Sequence, residues 1–277
     1  MAFWQMRRSF IGNHLINTTV NSDDRYIEYL SQVIGLVLRE PSQRANEIAI
    51  ATANEARRSQ EIWRKLSAMN ASQAKELADR IDFMHLTQIA DYLNTSRRGA
   101  IFTGLHAGDY LLALLKLRSR LTTPRNIYVL RRKAASNLEA RVFSHFDDTD
   151  IPIKVVRHGD NKTLSVVRAL RKGHFVTALF DLPGSFGKAA EFQFLDHAMQ
   201  MVTGHSELAV MGRADLVPFT SNFYNGQSSA SFEQPIRATT VEHTAQKLCD
   251  VGSNYIYRNP EQWQHWFHVP EMLGAGQ

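Results

Sequence analysis

The chain has 277 residues, of which 44% are hydrophobic and 21% charged, a composition typical of a folded protein with a sizeable core. Its single cysteine, Cys249, excludes an intrachain disulfide and a zinc site built from thiolates, so a reducing compartment is expected. The net charge of +5 and the pI near 9.4 favour acidic partners such as phosphates, acidic carrier proteins and anionic membranes.

The apolar runs of the chain are short. The nearest to a membrane span, Val33 to Leu38, is far below the roughly 20 residues that cross a bilayer, and Met1 to Arg8 does not lead into the apolar core of a signal peptide. We therefore expect a cytoplasmic protein, either free or peripheral on the inner face of the cytoplasmic membrane. Basic residues together with Phe3, Trp4 and Trp63 are the candidates for such peripheral contact.

The first third of the chain has helical spacing. From Asp23 to Asn94 it predicts two or three amphipathic helices, with Pro41-Ser42 as a breaker. A turn is expected at residues 70–72, with Ser72 as the N-cap of a helix from Gln73 to Ile81. Residues 1–95 are thus expected to form a helical lead-in to the remainder, residues 96–277.

After Gly99, short apolar runs alternate with helical segments. The predicted strands are Ala100–Thr103, Asn126–Arg131, Ile153–Arg157, Phe175–Phe180, Leu216–Phe223 and Ser229–Phe232. The predicted helices are Tyr110–Leu117, Ala134–Phe146, Thr163–Lys172, His205–Gly212 and Thr240–Tyr257. Such alternation predicts an α/β fold in one continuous domain, with a mostly parallel mixed sheet flanked by helices. No nucleic-acid recognition motif is present, so no nucleic-acid partner is expected.

The segment Thr103-Gly-Leu-His106-Ala-Gly108-Asp109-Tyr110 is the most informative for function. It forms the loop between a predicted buried strand and a helix, where open α/β sheets usually bind their ligands. If the helix begins near Ala107, Asp109 can orient His106 as a general base that deprotonates a hydroxyl or an amine. Alternatively, Asp109 caps the helix and His106 is a packed loop histidine.

This segment and four later ones resemble the bacterial lipid A lauroyl/myristoyl acyltransferase family, a branch of the lysophospholipid acyltransferase superfamily. The family has a strand that ends in His-x-Gly-Asn-Trp-Glu or a close relative, matched here by residues 106–111. The four later matches, in the family's order, are Phe180-Asp181-Leu-Pro183-Gly184, residues 194–204, residues 212–218 and Pro260-Glu261-Gln262-Trp263. The last of these is the most specific.

The resemblance implies a glycerol-3-phosphate acyltransferase-like fold and acyl transfer from an acyl-carrier-protein or coenzyme A thioester to a hydroxyl or amine of a lipid or specialised metabolite. It implies neither a metal, nor a cofactor beyond the thioester co-substrate, nor a covalent enzyme intermediate. His106 is the implied general base, and Gly108 and Asp181 are implied substrate contacts. The family's usual amino-terminal membrane anchor is not recognisable here, so we expect a soluble or loosely membrane-associated acceptor.

Further basic and backbone groups are candidates for substrate binding. Arg131 and Arg132 end a predicted strand on the side of His106 and can bind phosphate or the pantetheine arm of the donor, or simply form a solvated strand end. Thr203 and Gly204 precede a predicted helix and can present backbone donors to an anion or to the thioester oxygen.

One departure from the family pattern affects the mechanism. The family places an acid five residues after the histidine, where this chain has Leu111. A literal match from His145 to Asp150 follows a helix rather than a strand and is interpreted as a coincidence. Three alternatives are open: Asp109 takes over the orienting role, which we prefer; water or another carboxylate does so; or activity is lost. The last alternative describes a non-catalytic protein that binds acyl chains or carrier protein.

Overall fold

Helices and strands alternate through a computed structural model that describes residues 24–131, 137–145, 152–157 and 163–274. The helices are α1 (Asp24–Leu38), α2 (Ser42–Ala68), α3 (Ala71–Asp79), α4 (Leu86–Thr95), α5 (Tyr110–Arg118), α6 (Asn137–Ser144), α7 (Thr163–Arg171), α8 (Gly204–Gly212), α9 (Val241–Arg258) and α10 (Val269–Met272). The strands are β1 (Asp82–Met84), β2 (Ala100–Gly104), β3 (Ile127–Arg131), β4 (Ile153–Arg157), β5 (Phe175–Thr177), β6 (Ala189–Phe194), β7 (His197–Val202), β8 (Asp215–Tyr224), β9 (Gln227–Phe232) and β10 (Ile236–Arg237). Short 3-10 helices lie at Gly184–Phe186, Pro260–Gln262 and Trp266–His268.

The main sheet is mixed and mostly parallel, as predicted. Its strand order is β1-β9-β8-β2-β5-β3-β4, and among the described residues only the β8–β9 and β8–β10 pairs are antiparallel. Strand β2 lies at the centre, between β5 and β8, and every one of its residues is buried. Helices cover both faces of the sheet, so that its strands take part in two buried apolar clusters. This is usual for parallel strands, because the helices that connect them lie on the faces of the sheet.

The N-terminal region contains more elements than expected. Between residues 24 and 95, four helices and a strand replace the two or three predicted helices, and β1 pairs in parallel with β9. Helix α3 begins after Asn70, which accepts a hydrogen bond from the Gln73 backbone at 2.9 Å, while the Gln73 side chain accepts one from the Asn70 backbone at 3.0 Å. This is a capping box, so the prediction of Ser72 as the N-cap was wrong. Ser72 lies inside the first turn of the helix.

The end of β5 brings a second segment beside β2. The assigned strand stops at Thr177, three residues short of the predicted end, yet the backbones of Ala178 and Phe180 still donate hydrogen bonds to the β2 carbonyls of Phe102 and Gly104, at 3.0 and 3.1 Å. The chain therefore follows β2 to its carboxyl end. Residue 181 arrives next to the loop that follows β2.

The described part of the chain contains two β-hairpins, β6–β7 and β8–β9. The β8–β9 turn at Asn225-Gly226 has positive φ at both residues, as a type I′ turn requires. The β6–β7 hairpin was not predicted, and its turn residues Leu195 and Asp196 also have positive φ. Predicted helix Ala134–Phe146 is observed over α6, and its residues 134–136 and 146 lie outside the described residues. None of the helices in the described ranges is long and apolar enough to cross a bilayer.

The cap of α3 gives a first prediction. Asn70→Ala should lower the free energy of unfolding by about 1 kcal/mol, because the first turn of α3 loses an acceptor for its free N–H groups. Ser72→Ala is the matched control, since its exposed side chain makes no capping bond, and it should leave stability unchanged. Urea unfolding of both variants measures the difference. A larger loss in Ser72→Ala than in Asn70→Ala would contradict the assigned cap.

Candidate active site

His106 lies in the loop between β2 and α5, at the carboxyl edge of the sheet. Its backbone N–H donates to Asp181 Oδ2 at 2.8 Å, and its carbonyl accepts from the Gln264 backbone at 2.9 Å. The ring is held as well, because Nδ1 lies 2.8 Å from Asp181 Oδ1. With 24% of its side chain exposed, His106 is both fixed and open to solvent.

Asp181 is the centre of this arrangement. Its carboxylate is fully buried and accepts three hydrogen bonds: the ring and the backbone of His106, and Nε1 of Trp263 at 2.8 Å. Burial raises the pKa of Asp181, but the charge of the adjacent His106 ring and the hydrogen bonds from the His106 ring and backbone outweigh it and hold the pKa below its usual value. The group is therefore an ionised acceptor at neutral pH.

Asp109 does not lie against the His106 ring. Its carboxylate binds the Arg58 guanidinium through both oxygens, at 2.7 and 3.0 Å, and also accepts a hydrogen bond from Ser228. Arg58 in turn binds Glu55 and lies 3.8 Å above the Phe223 ring. Asp109 occupies the N-cap position of α5 without a side-chain capping bond. The contact expected between His106 and Asp109 is thus replaced by a buried ion pair, and simple capping does not describe this residue either.

Gly108 explains why the two side chains diverge. Its φ is +49°, and a Cβ at this position would lie 2.4 Å from the carbonyl oxygen of Ser221. Only glycine can both adopt this conformation and approach β8 so closely. The chain turns at Gly108, so that His106 lies toward Asp181 and Asp109 toward Arg58. The structure thus gives Gly108 a backbone role, and its expected contact with substrate stays a prediction.

Two residues of the site were missed by sequence reasoning. Trp263 lies within the quoted Pro-Glu-Gln-Trp motif, but no role was attached to it. The His265 ring stacks on the His106 ring at 3.8 Å with an interplanar angle of 21°, and its Nδ1 donates to the Asp181 carbonyl at 3.0 Å. Burial, and to a lesser extent the charge of His106, lowers the pKa of His265 to about 3, so this ring is neutral at neutral pH. The signal available in the sequence was its position two residues after Trp263.

The remaining predicted residues lie apart from this pair. Arg131, at the end of β3, pairs with Glu139 of α6, and Arg132 lies outside the described residues. Burial raises the pKa of Tyr110 to about 12, and the positive charge of Arg131 opposes this. His145 binds the Leu66 carbonyl at 2.7 Å, and Asp150 is not among the described residues.

Thr203 and Gly204 form the start of α8. The Thr203 backbone donates to the Lys188 carbonyl at 2.9 Å, and its hydroxyl lies 3.1 Å from both that carbonyl and Glu207 Oε1. In the part of the chain that the structure describes, neither residue forms a hydrogen bond with His106 or Asp181. The expected contact of these two residues with an anion or with the thioester oxygen therefore stays a prediction.

Cys249 is buried, and burial raises the pKa of its thiol to about 12, as is typical of a structural thiol rather than of a nucleophile.

Three groups of the site are chemically able to hold a metal ion. Ligand atoms of His106, Asp181 and His265 lie within 4.8 Å of one another. In this structure Asp181 Oδ1 is bound by the His106 ring, and Oδ2 accepts from the His106 backbone and from Trp263.

Comparison with known families places these residues in context. A family model described as bacterial lipid A biosynthesis acyltransferase matches residues 36–269, a range that includes His106, Asp181 and His265. A comparison with curated proteins gives no match. Because the family model covers most of the chain and the mixed α/β sheet agrees with the expected fold, the protein is an acyltransferase that belongs to the bacterial lipid A biosynthesis acyltransferase family.

Proposed function

We propose that the protein transfers an acyl group from an acyl-carrier-protein or coenzyme A thioester to a hydroxyl or amine of a lipid or specialised-metabolite acceptor, with His106 as general base. The observation that carries this proposal is the 2.8 Å contact between His106 Nδ1 and the buried Asp181 carboxylate. A partly exposed imidazole bound to an ionised carboxylate is the arrangement that a general base requires.

The reaction follows from the tautomer that Asp181 selects. Its carboxylate accepts the Nδ1 proton of His106, which leaves the lone pair of Nε2 free for the acceptor. Nε2 removes a proton as the acceptor oxygen or nitrogen attacks the thioester carbonyl carbon, and Asp181 stabilises the imidazolium that forms. When the tetrahedral intermediate collapses, the carbon–sulfur bond breaks and the imidazolium returns the proton to the leaving thiolate.

Asp181 therefore takes the orienting role for which Asp109 was the preferred candidate. It is the other carboxylate left open as an alternative, and it lies 75 positions from His106 in the chain. We assign Asp109 a structural role: with Arg58 and Ser228 it holds the start of α5 against α2 and β9.

His265 acts as a positioning residue. Its ring covers one face of the His106 imidazole and its Nδ1–H binds the Asp181 carbonyl, so it restrains both partners. Its neutral ring also adds no positive charge that would compete with a protonated His106.

The thioester donor is proposed to bind at the basic and backbone groups that the sequence predicts. Arg131, which pairs with Glu139, and the adjacent Arg132 are the candidates for donor phosphate or pantetheine. Thr203 and Gly204, at the N-terminus of α8, are candidates for an anion.

A non-catalytic protein that binds acyl chains or carrier protein is the rival function. Its support was the absence of an acid at position 111, where Leu111 is buried. The His106–Asp181 pair supplies an acid from another segment, which favours catalysis.

Asp181→Asn tests the central pair. An amide cannot stabilise an imidazolium and can favour the wrong tautomer, so kcat should fall roughly 10²–10⁴-fold with little change in KM. Thiol release from carrier-protein and coenzyme A thioesters, against a panel of hydroxyl and amine acceptors, measures turnover. His106→Ala should cost about as much, and the double variant no more than either, since the two residues act as a unit. A kcat within threefold of wild type in Asp181→Asn, at unchanged thermal stability, would remove Asp181 from the mechanism.

Asp109→Asn separates structure from chemistry. The nearly buried Arg58 loses one of its two carboxylate partners, so the free energy of unfolding should drop by about 1–3 kcal/mol while kcat per folded molecule stays within about threefold. Glu47→Gln on α2 removes the partner of exposed Arg44 and should cost less than about 0.5 kcal/mol. Unchanged stability with lost kcat would instead make Asp109 a catalytic partner.

His265→Phe tests positioning. Phenylalanine keeps an aromatic ring against His106 but removes the donor to the Asp181 carbonyl, so kcat should fall roughly tenfold at constant KM. His268→Phe is the control, because it removes a histidine from the same aromatic cluster without a hydrogen bond to Asp181, and it should leave kcat unchanged. Equal effects of the two substitutions would show that His265 contributes packing alone.

A further inference from the structure

A pocket lies at the opposite edge of the sheet from His106. It is open to solvent, has a volume of about 330 Å³, and lies beside Gly99, the residue that precedes β2, and the ends of α7 and α8. Its volume falls within the range of small-molecule sites. The pocket is lined by four arginines and three small or apolar residues: Arg97, Arg98, Arg171 and Arg213, with Gly99, Leu170 and Gly212.

The two glycines of the pocket are closely packed against Leu170. A Cβ at Gly99 would lie 2.4 Å from the Leu170 carbonyl oxygen, and one at Gly212 would lie 2.7 Å from the Leu170 Cβ. Neither position has room for a side chain in this structure. The side chains that face the open space of the pocket are therefore mainly those of the arginines.

Two of the arginines are anchored in a way that leaves their terminal nitrogens available. Arg98 Nε lies 2.9 and 3.0 Å from the two oxygens of Asp215, which is also bound by the Tyr92 hydroxyl. Arg171 Nε donates to the Met211 carbonyl at 2.9 Å. Within the described ranges, neither guanidinium makes a hydrogen bond through Nη1 or Nη2. Both planes are thus held by the protein while four N–H groups of each stay free for a ligand.

The pocket carries excess positive charge. Among the residues that the structure describes, Asp215 is the only carboxylate within ion-pair distance of any of the four arginines. His174, which follows Gly173 on the same side of the sheet, also has cationic neighbours. Burial lowers the pKa of His174, and the positive charges of Lys154, Lys172 and Arg125 lower it further. Four guanidiniums around one carboxylate leave an excess of about three formal positive charges, which the C-terminal ends of α7 and α8, beside Arg171 and Arg213, offset only in part.

We propose that this pocket binds a phosphate-bearing anion, with a diphosphate group as the best match. Guanidinium forks bind phosphate oxygens in pairs, and more than one phosphate is needed to balance the charge. Five residues of β2 separate the pocket from the loop of His106, roughly 16 Å at strand spacing, so the bound anion does not touch the reacting atoms. The site is therefore distinct from the proposed acyl-transfer centre and does not depend on that function.

Calorimetric titration of the full chain with pyrophosphate at low salt tests the proposal directly. The pocket variants are Arg97→Ser, at an exposed position, and Arg213→Asn, because residue 213 has φ of +53° and asparagine tolerates that conformation. The control is Arg64→Ser, which removes the same charge from an exposed site on α2. A second arm measures co-sedimentation with vesicles of phosphatidylcholine alone or with about one fifth phosphatidic acid.

We expect saturable binding of one pyrophosphate, weakened roughly tenfold in each pocket variant, unchanged in Arg64→Ser, and reduced by added salt. That result identifies a soluble phosphate ligand. Sedimentation with the acidic vesicles that both pocket variants lose and Arg64→Ser keeps, without pyrophosphate binding, identifies the phosphate of a lipid headgroup. Absence of binding in both arms, or an equal loss in Arg64→Ser, overturns the proposal. Thermal unfolding confirms that each variant is folded.

Discussion

The carboxylate of Asp181 is taken entirely out of water, and the arrangement of the site depends on how that burial is offset. An ionised carboxylate is stable in such a place only when hydrogen-bond donors replace its lost hydration. The donors come from two distant segments, since His106 follows β2 and Trp263 belongs to the C-terminal region. The ion thus fastens the C-terminal segment onto the loop after β2, and the geometry that stabilises the fold also aligns the imidazole.

Local pattern predicted the alternating strands and helices and located His106, because a polar loop after a buried strand is visible in a single window. The partners of that loop are not local. The His106–Asp181 pair spans 75 positions and the Arg58–Asp109 pair spans 51, and both depend on which strands and helices become neighbours. Nearness in sequence favoured Asp109 as the partner of His106, yet the chain turns at Gly108, which lies between the two residues and has a positive φ. Strand β1 escaped prediction because it has only three residues. The β6–β7 hairpin escaped because its turn, Leu195-Asp196, lacks the glycine or asparagine that usually marks a two-residue hairpin.

Strand β2 joins two regions of opposite chemistry. At its carboxyl end the structure gathers one buried anion and two aromatic bases, of which His265 is held neutral by burial. At its amino end it gathers arginines at the ends of helices α7 and α8, where cations interact favourably with the helix dipoles. Because the central strand is buried along its whole length, the two regions are separated by packed side chains rather than by water.

The parallel pairing of β1 with β9 has a consequence for how the chain folds as it is made. Asp82 pairs with Ser229 and Met84 with Ser231, so the edge of the main sheet closes only after the ribosome has passed residue 231. At roughly 5–20 residues per second, the wait lasts on the order of 7–30 seconds. During that time the apolar faces of α3 and α4, which pack in the same core as Ala230 and Phe232, lack their final cover. Chaperone binding to the nascent chain would be concentrated in this interval.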